Sequence, residues 1–282
     1  MIQKQIAEIQ LKDITLPQRQ ANAHKGTHGS VAMIGGADGM VGAALLAARA
    51  ALLLGTGRTY AALLAKDAPS VDLLYPEIMM RSIQDLDALQ QLNCVLIGPG
   101  LGISNQAKTL LKNWLNKNTA LVLDADALNL IAQNGDLAAS VKNRHAPTVI
   151  TPHIGEASRL LKLSPEAIQG DRKGSALKLA KDFNCITILK GVGSLISNGS
   201  EVFINTTGNA GLASGGTGDV LAGMIGSLIA QGLAVLEACK TAVYLHGAAA
   251  DSLASRGIGP IGLTASEVAI EARQLINQFN QT

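Results

Sequence analysis

The sequence predicts an α/β protein: a mostly parallel central sheet covered by helices on both faces. Three observations carry that expectation. Short apolar runs recur along the chain at residues 30–34, 94–97, 120–123, 148–150 and 185–189, and nearly all lack polar alternation, as strands buried on both faces do. Helical patterns lie between them, at 42–54, 106–115 and 174–182. Alternation of strand with helix is the signature of parallel crossover units.

Element boundaries are legible in several places. Ser164-Pro165-Glu166 reads as an N-cap, a proline at the first helical position and a first-turn acid. Thr264 and Glu267 have capping-box spacing before the last helix. In the segment 194–205, two β-rich runs flank Asn198-Gly199, which predicts an antiparallel hairpin interrupting the α/β pattern. Beyond Gly218 the chain reads as helical almost to its end. No linker or internal repeat divides it, so residues 1–282 are expected to form one domain, with 1–20 as an N-terminal arm outside the core.

Composition bounds the function. The chain of 282 residues is 48% hydrophobic and 16% charged, which suits a sizeable core. Aromatics are only 2%, so small aliphatic side chains must pack helix against sheet. A net charge of +2 gives no electrostatic basis for a nucleic-acid or membrane partner. Cys94, Cys185 and Cys239 are widely spaced in apolar surroundings, the pattern of buried free thiols in a reducing compartment. The N-terminus lacks a signal-peptide core, so a cytoplasmic setting is expected.

The chemistry-bearing signal is glycine. Four glycine-rich loops follow predicted strands: GGADGMVGA (35–43), GPGLG (98–102), KGVGS (190–194) and ASGGTGD (213–219). Ligands of open parallel sheets sit beyond the carboxyl ends of strands, so these loops are candidates to face one cleft. The dinucleotide fingerprint is not satisfied, because Ile103 and Leu221 occupy the third-glycine positions, and no segment satisfies the P-loop pattern G-x-x-x-x-G-K-[ST]. The sharper reading of GGTGD is an anion hole: amides of Gly215, Gly216, Thr217 and Gly218 and a helix N-terminus hold developing negative charge. Asp219, in the first helical turn, is then placed to take a proton from a hydroxyl that attacks phosphorus. The plainer reading is a tight turn followed by an ordinary first-turn carboxylate.

Other strand ends carry polar groups with two readings each. Asp124 and Asp126 suit a water-mediated Mg²⁺, sugar hydroxyls or helix capping. In TPHIGE, His153 is placed to contact a polar ligand and Glu156 to order metal-bound water, or both are structural. Lys190 neutralises a phosphate or ends its strand, and Ser194 offers a hydroxyl to phosphate. His246, among small residues of a helix, reads as a packed and satisfied histidine.

Taken in order, HKGTHGSVAMIGG (24–36), GPGLG, LDADALN, TPHIGE, LKG, ASGGTGDVLAG, VYLHGAAAD and GLTASE resemble the ADP-dependent NAD(P)H-hydrate dehydratases, which are ribokinase-like enzymes. The resemblance covers nearly the whole chain. It implies repair of the S form of hydrated NADH and NADPH, with ADP as phosphoryl donor and release of AMP and phosphate. It implies that Asp219 is the catalytic base. It makes Lys190, Gly191, Val192, Gly193, Ser194 and Gly218 nucleotide contacts, and Ala43, Gly102, His153 and Asp219 contacts of the hydrated dinucleotide. Mg²⁺ and a homo-oligomer, often a tetramer, are also implied. The family often carries an N-terminal epimerase half, expected to be absent here because the pattern begins within the first thirty residues. The chain departs from the family at Ile154, where proline is usual, at Ser214, where threonine is usual, and at GGADG, where GGS is usual. Two other readings share these residues: a small-molecule kinase acting on a vitamin precursor or sugar, and a nucleotide sensor without turnover.

Overall fold

The computed structural model describes residues 6–281. Its frame is a ten-stranded sheet. The strands are β1 (Ala7–Glu8), β2 (Ser30–Gly35), β3 (Arg58–Leu63), β4 (Met79–Met80), β5 (Cys94–Ile97), β6 (Ala120–Leu123), β7 (Thr148–Ile150), β8 (Ile186–Leu189), β9 (Leu195–Ser197) and β10 (Val202–Ile204). Their order is β1-β10-β9-β8-β7-β6-β5-β2-β3-β4. From β8 to β4 every pairing is parallel. The predicted hairpin supplies the antiparallel pairings at β9, with Leu195 opposite Ile204.

The chain runs from β2 outward to β3 and β4, then crosses back and builds β5 to β8 on the other side of β2. The strand order therefore reverses between β2 and β5, and such a switch point opens a crevice at the carboxyl edge of a sheet.

Why the strands lack alternation is now explicit. Met33, Leu96, Val122, Val149 and Ile188 enter one core, and Ile34, Ile97, Leu123, Ile150 and Leu189 enter the other. Side chains alternate between two faces, and both faces are dry. The first face is covered by α1 (Val41–Leu53), α9 (Thr217–Ala230), α10 (Val235–Ser255) and α11 (Ala265–Phe279). The second is covered mainly by α3 (Asn105–Leu115), α4 (Asp126–Gln133), α5 (Gly135–Lys142), α6 (Ile154–Leu161), α7 (Pro165–Gly170) and α8 (Arg172–Asp182). A short α2 (Ile83–Asp87) follows β4. The predicted caps form: Ser164 accepts from Ala167 N, and Thr264 and Glu267 close a capping box.

Small residues let α1 and α9 meet closely. A Cβ on Gly223 would stand 2.1 Å from Ala47 O, so the crossing excludes any side chain there. This contact fixes the axis of α9 and therefore the position of its N-terminus.

Two sequence expectations are corrected. The N-terminal arm is not wholly outside the core: Ala7–Glu8 pairs in parallel with β10, and Ile9 is 2% exposed. Residues 1–5 of that arm lie outside the described residues. Strand β3 was not expected, although it pairs along its full length with β2. Its sequence, RTYAAL, is a short apolar run with two alanines, which periodicity alone does not assign to strand or helix.

Candidate active site

The loops after β2, β5, β6, β7 and β8 all leave the same edge of the sheet. At the switch point the first two touch backbone to backbone: Gly36 N donates to Pro99 O at 3.0 Å and Ala37 N to Gly100 O at 2.6 Å. A Cβ on Gly35 would fall 2.0 Å from Pro99 O, so glycine is required for the approach. Asp38, the departure in GGADG, accepts from Lys66 N at 2.9 Å and ties this loop to the chain beyond β3.

Asp126 orients the second loop. Its Oδ2 accepts from Gly102 N at 2.9 Å, and its Oδ1 lies 3.3 Å from Asn129 Nδ2. Asp126 is thus the first residue of α4 and braces a neighbouring loop, so helix capping, one of the readings the sequence left open, does not hold; the N-cap is Ala125, at φ 47°. Ala43 stands in the first turn of α1, which begins directly after the first loop.

At the end of β6, Asp124 is buried and Lys190, at the end of β8, reaches it with Nζ 2.8 Å from Oδ1. The Lys190 backbone N donates to Pro152 O at 2.8 Å, so β7's loop positions this lysine from behind. Burial alone lowers the Lys190 pKa, but Asp124 and Glu156 outweigh it and hold the ammonium charged.

His153 is the N-cap of α6. Its Nδ1 accepts from Gly155 N at 2.9 Å, and Glu156 Oε2 accepts from His153 N at 2.8 Å. Ile154, where the family usually has proline, is the first helical position, the place where proline is most at home. Glu156 is 5% exposed, and burial, then Asp124, push its pKa up to about 7 against the pull of Lys190. Burial, then Lys190 and Arg159, lower the His153 pKa.

The glycine-rich turn before α9 is held from several sides. Gly216 is its N-cap at φ 88°. The Thr217 hydroxyl bonds Leu212 O at 2.8 Å and Ser214 O at 3.0 Å, and Ser214 Oγ donates to Gly211 O at 2.9 Å. His246 Nε2 lies 2.9 Å from Thr217 O; a carbonyl only accepts, so this nitrogen carries the hydrogen. The histidine is satisfied, as its sequence context suggested. The first helical bond runs from Val220 N to Gly216 O, which leaves the amides of Thr217, Gly218 and Asp219 without intrahelical acceptors.

Asp219 follows in the first turn. Burial, then Asp124, push its pKa up to about 7, while Lys190 pulls it back. A Cβ on Gly218 would stand 3.4 Å from Lys190 Nζ, so the ammonium sits beside the start of α9. Three carboxylates, Asp124, Glu156 and Asp219, therefore share one lysine. The set is short of positive charge, which is the electrostatic preparation for a proton or a cation.

The loop 190–194 bends through Gly191 at φ 147° and Gly193 at φ 65° and leaves Val192 99% exposed. The Ser194 hydroxyl donates to Gly191 O at 3.1 Å, closing the loop on itself; the sequence had offered it to a phosphate. The sequence reading missed Arg172, which donates to Leu189 O and Val192 O beneath this loop. Its signal was an arginine at the start of a helix, the end that disfavours cations.

Known proteins share the sequence and the fold of this chain. A family model described as NAD(P)H-hydrate dehydratase matches residues 31–271. The chain is 40% identical over 271 residues to an ADP-dependent (S)-NAD(P)H-hydrate dehydratase of Neisseria meningitidis, covering 94% of this chain and 90% of that one. It is 40% identical over 267 residues to the bifunctional NAD(P)H-hydrate repair enzyme Nnr of Coxiella burnetii, covering 93% of this chain and 53% of that one. It thus spans about half the length of that bifunctional relative. The fold matches the ADP/ATP-dependent NAD(P)H-hydrate dehydratase of Bacillus subtilis, co-crystallised with ATP and Mg²⁺, at TM-score 0.86 and 28% identity, covering 97% of this chain and 99% of that one. A hydroxyethylthiazole kinase of Pyrococcus horikoshii, at TM-score 0.59 and 19% identity, shares the ribokinase-like fold alone. With the matched residues running from within β2 into α11, the chain belongs to the NAD(P)H-hydrate dehydratase family.

Proposed function

We propose that the protein dehydrates the S form of hydrated NADH and NADPH, using ADP as phosphoryl donor and releasing AMP and phosphate. The observation that carries this reading is Asp219, a carboxylate with its pKa near neutrality, in a helix turn whose amides are free and whose neighbour is Lys190.

In this reading Asp219 takes the proton of the hydrate hydroxyl as the oxygen attacks the terminal phosphorus of ADP. The bond from that phosphorus to the bridging oxygen breaks and AMP leaves. The amides of Gly215, Gly216, Thr217 and Gly218 stabilise charge on the transferring group, a role for which fixed donors cost no reorganisation. Phosphate then departs from the ring carbon, a proton leaves the neighbouring carbon, and the ring double bond is restored. Lys190 and the loop Gly191, Val192, Gly193 and Ser194 bind the nucleotide phosphates. Ala43, Gly102 and His153, on loops that share the switch-point edge, contact the hydrated dinucleotide.

Among the described residues no three His, Cys, Asp or Glu side chains converge to hold a metal by themselves. Mg²⁺ would come as an ion brought by the phosphates; Glu156 would help to hold it, and the deficit of positive charge would favour it. When bound it would neutralise phosphate charge.

The reading extends to a homotetramer in the cytoplasm. Buried free Cys94, Cys185 and Cys239 support a reducing setting, and Leu73 and Leu74, 89% and 69% exposed, offer apolar surface for association. No described helix is long and apolar enough to cross a membrane.

The test is the absorbance of reduced nicotinamide in a mixture of purified protein, S-NADH hydrate, Mg²⁺ and either ADP or ATP. A rise that requires ADP supports the reading. A rise with ATP instead keeps the reaction and changes the donor, as the name of the Bacillus subtilis enzyme allows. No rise with either donor rejects it in favour of a small-molecule kinase.

A further inference from the structure

We infer that Arg172 is a positioning residue that holds the loop 190–194 in the form that takes the nucleotide phosphates; this rests on the reading of that loop given above. The inference starts from an electrostatic misfit. Arg172 is the first residue of α8, directly after the N-cap Asp171, whose side chain accepts from Gly174 N at 2.8 Å. A helix N-terminus carries partial positive charge, and an arginine there is locally unfavourable. Something outside the helix must account for its place.

The side chain turns away from α8 to the end of β8. Its Nη2 donates to Leu189 O at 3.4 Å and its Nη1 donates to Val192 O. One planar fork therefore ties down the carbonyls on both sides of Lys190 and Gly191. Charge-assisted bonds to carbonyls are among the stronger neutral-acceptor bonds, and the guanidinium holds its donors in fixed relation.

Gly191 is fitted to the same group. A Cβ on Gly191 would lie 3.2 Å from Arg172 Nη2, whereas one on Gly193 would first meet Ile204 Cδ1 at 3.2 Å, with Arg172 Nη1 behind it at 3.9 Å. Both glycines adopt positive φ, so the loop wraps the guanidinium with bare backbone. With the Leu189 and Val192 carbonyls committed to the cation, amides are the backbone groups this loop can offer to phosphate oxygens. The cation also lies under the place where negative charge would arrive.

The group is committed to this role. Arg172 Nε is buried and has no acceptor among the described residues. Burial lowers the Arg172 pKa, yet an arginine remains charged throughout the working range. A residue serving only to fill space there would not carry a charge with an unspent buried donor.

The test is ADP binding, measured by calorimetry on the wild type and on Arg172→Met, Arg172→Lys and Arg172→Ala, with KM and kcat for both substrates alongside. If the loop's competent form falls to about a tenth of the population, apparent ADP affinity weakens about tenfold. The expected result is that loss in Arg172→Met, with KM for the hydrate and kcat at saturating ADP little changed. Arg172→Lys keeps the charge but loses the fork and recovers only part of the affinity. Free guanidinium ion, at concentrations that leave the wild type unaffected, tightens ADP binding to Arg172→Ala. Unchanged ADP affinity in a folded Arg172→Met protein overturns the inference. So does a parallel loss in kcat and both KM values without guanidinium rescue, which marks a merely structural side chain. Failure of the wild type itself to bind ADP removes the reading of the loop, and this inference with it.

Discussion

Lys190 Nζ stands 2.8 Å from Asp124 Oδ1 across the ends of β8 and β6, and it is the one ammonium shared by Asp124, Glu156 and Asp219. Removing one partner of a buried ion pair leaves an uncompensated charge. Lys190→Met is therefore expected to lower stability by about 3 kcal/mol, read by urea unfolding, and to abolish turnover. Adding Asp124→Asn to that variant is expected to restore much of the stability and none of the activity. Equal stability of the two variants would show that the pair is not coupled.

The pH dependence follows from the same cluster. Asp219 and Glu156 have pKa values raised to about 7, and a base works only when deprotonated. Turnover per substrate encounter is expected to rise with pH through about 7. The two carboxylates interact, so the limb belongs to the pair. Glu156→Gln removes one of the charges that raises Asp219, and the limb is expected to move to lower pH.

Stability has the opposite sign. Each carboxyl has a folded pKa above its unfolded one, so the folded state binds more protons between about pH 4 and 7. Stability is lost as pH rises through that window. Asp219→Asn is expected to be more stable than the wild type at pH 8, by about 1–2 kcal/mol after allowing for solvent screening. At pH 4 the difference should vanish. Urea unfolding at the two pH values reads both.

Gly216 is held at φ 88°, and a Cβ there would stand 2.5 Å from Leu46 Cδ1 and 3.3 Å from Ala265 Cβ. Gly216→Val is expected to destabilise the fold by about 2–3 kcal/mol and to destroy turnover by displacing the amides of α9. The contacts with Leu46 and Ala265 are the source of that destabilisation. Thermal melts and activity read the two effects separately.

His246 acts on the same turn from inside. Burial pushes its pKa down to about 4, so it stays neutral and donates through Nε2 to Thr217 O. His246→Leu leaves that side of the turn unsupported, and a drop in kcat of about tenfold is expected, with ADP affinity little changed. His246→Gln, which retains a donor, should recover part of it.

Much of this was legible in the sequence because its signals are local. Asn198-Gly199 announced the hairpin by turn chemistry, and Ser164 and Thr264 announced their helices by capping. The glycine clusters announced the site because backbone approach leaves a compositional trace. Strand β3 was hidden because a short apolar run such as Tyr60-Ala61-Ala62-Leu63 is not assigned to strand or helix by periodicity alone, and Ala7–Glu8 because two residues make no pattern. The pairing of Lys190 with Asp124 spans 66 positions and the fork of Arg172 acts through carbonyls, which have no sequence signature. The burial and the clustered carboxylates that raise the pKa values of Glu156 and Asp219, and the shared lysine that opposes them, are tertiary information.

The central claim is that Asp219 is the base beside an amide-lined phosphoryl site. The most direct measurement is turnover of S-NADH hydrate by Asp219→Asn at saturating ADP and Mg²⁺, with ADP binding measured on the same preparation. The account predicts a loss of about 10³-fold in kcat with ADP affinity retained. Turnover near that of the wild type, in a variant that still binds ADP, would contradict it.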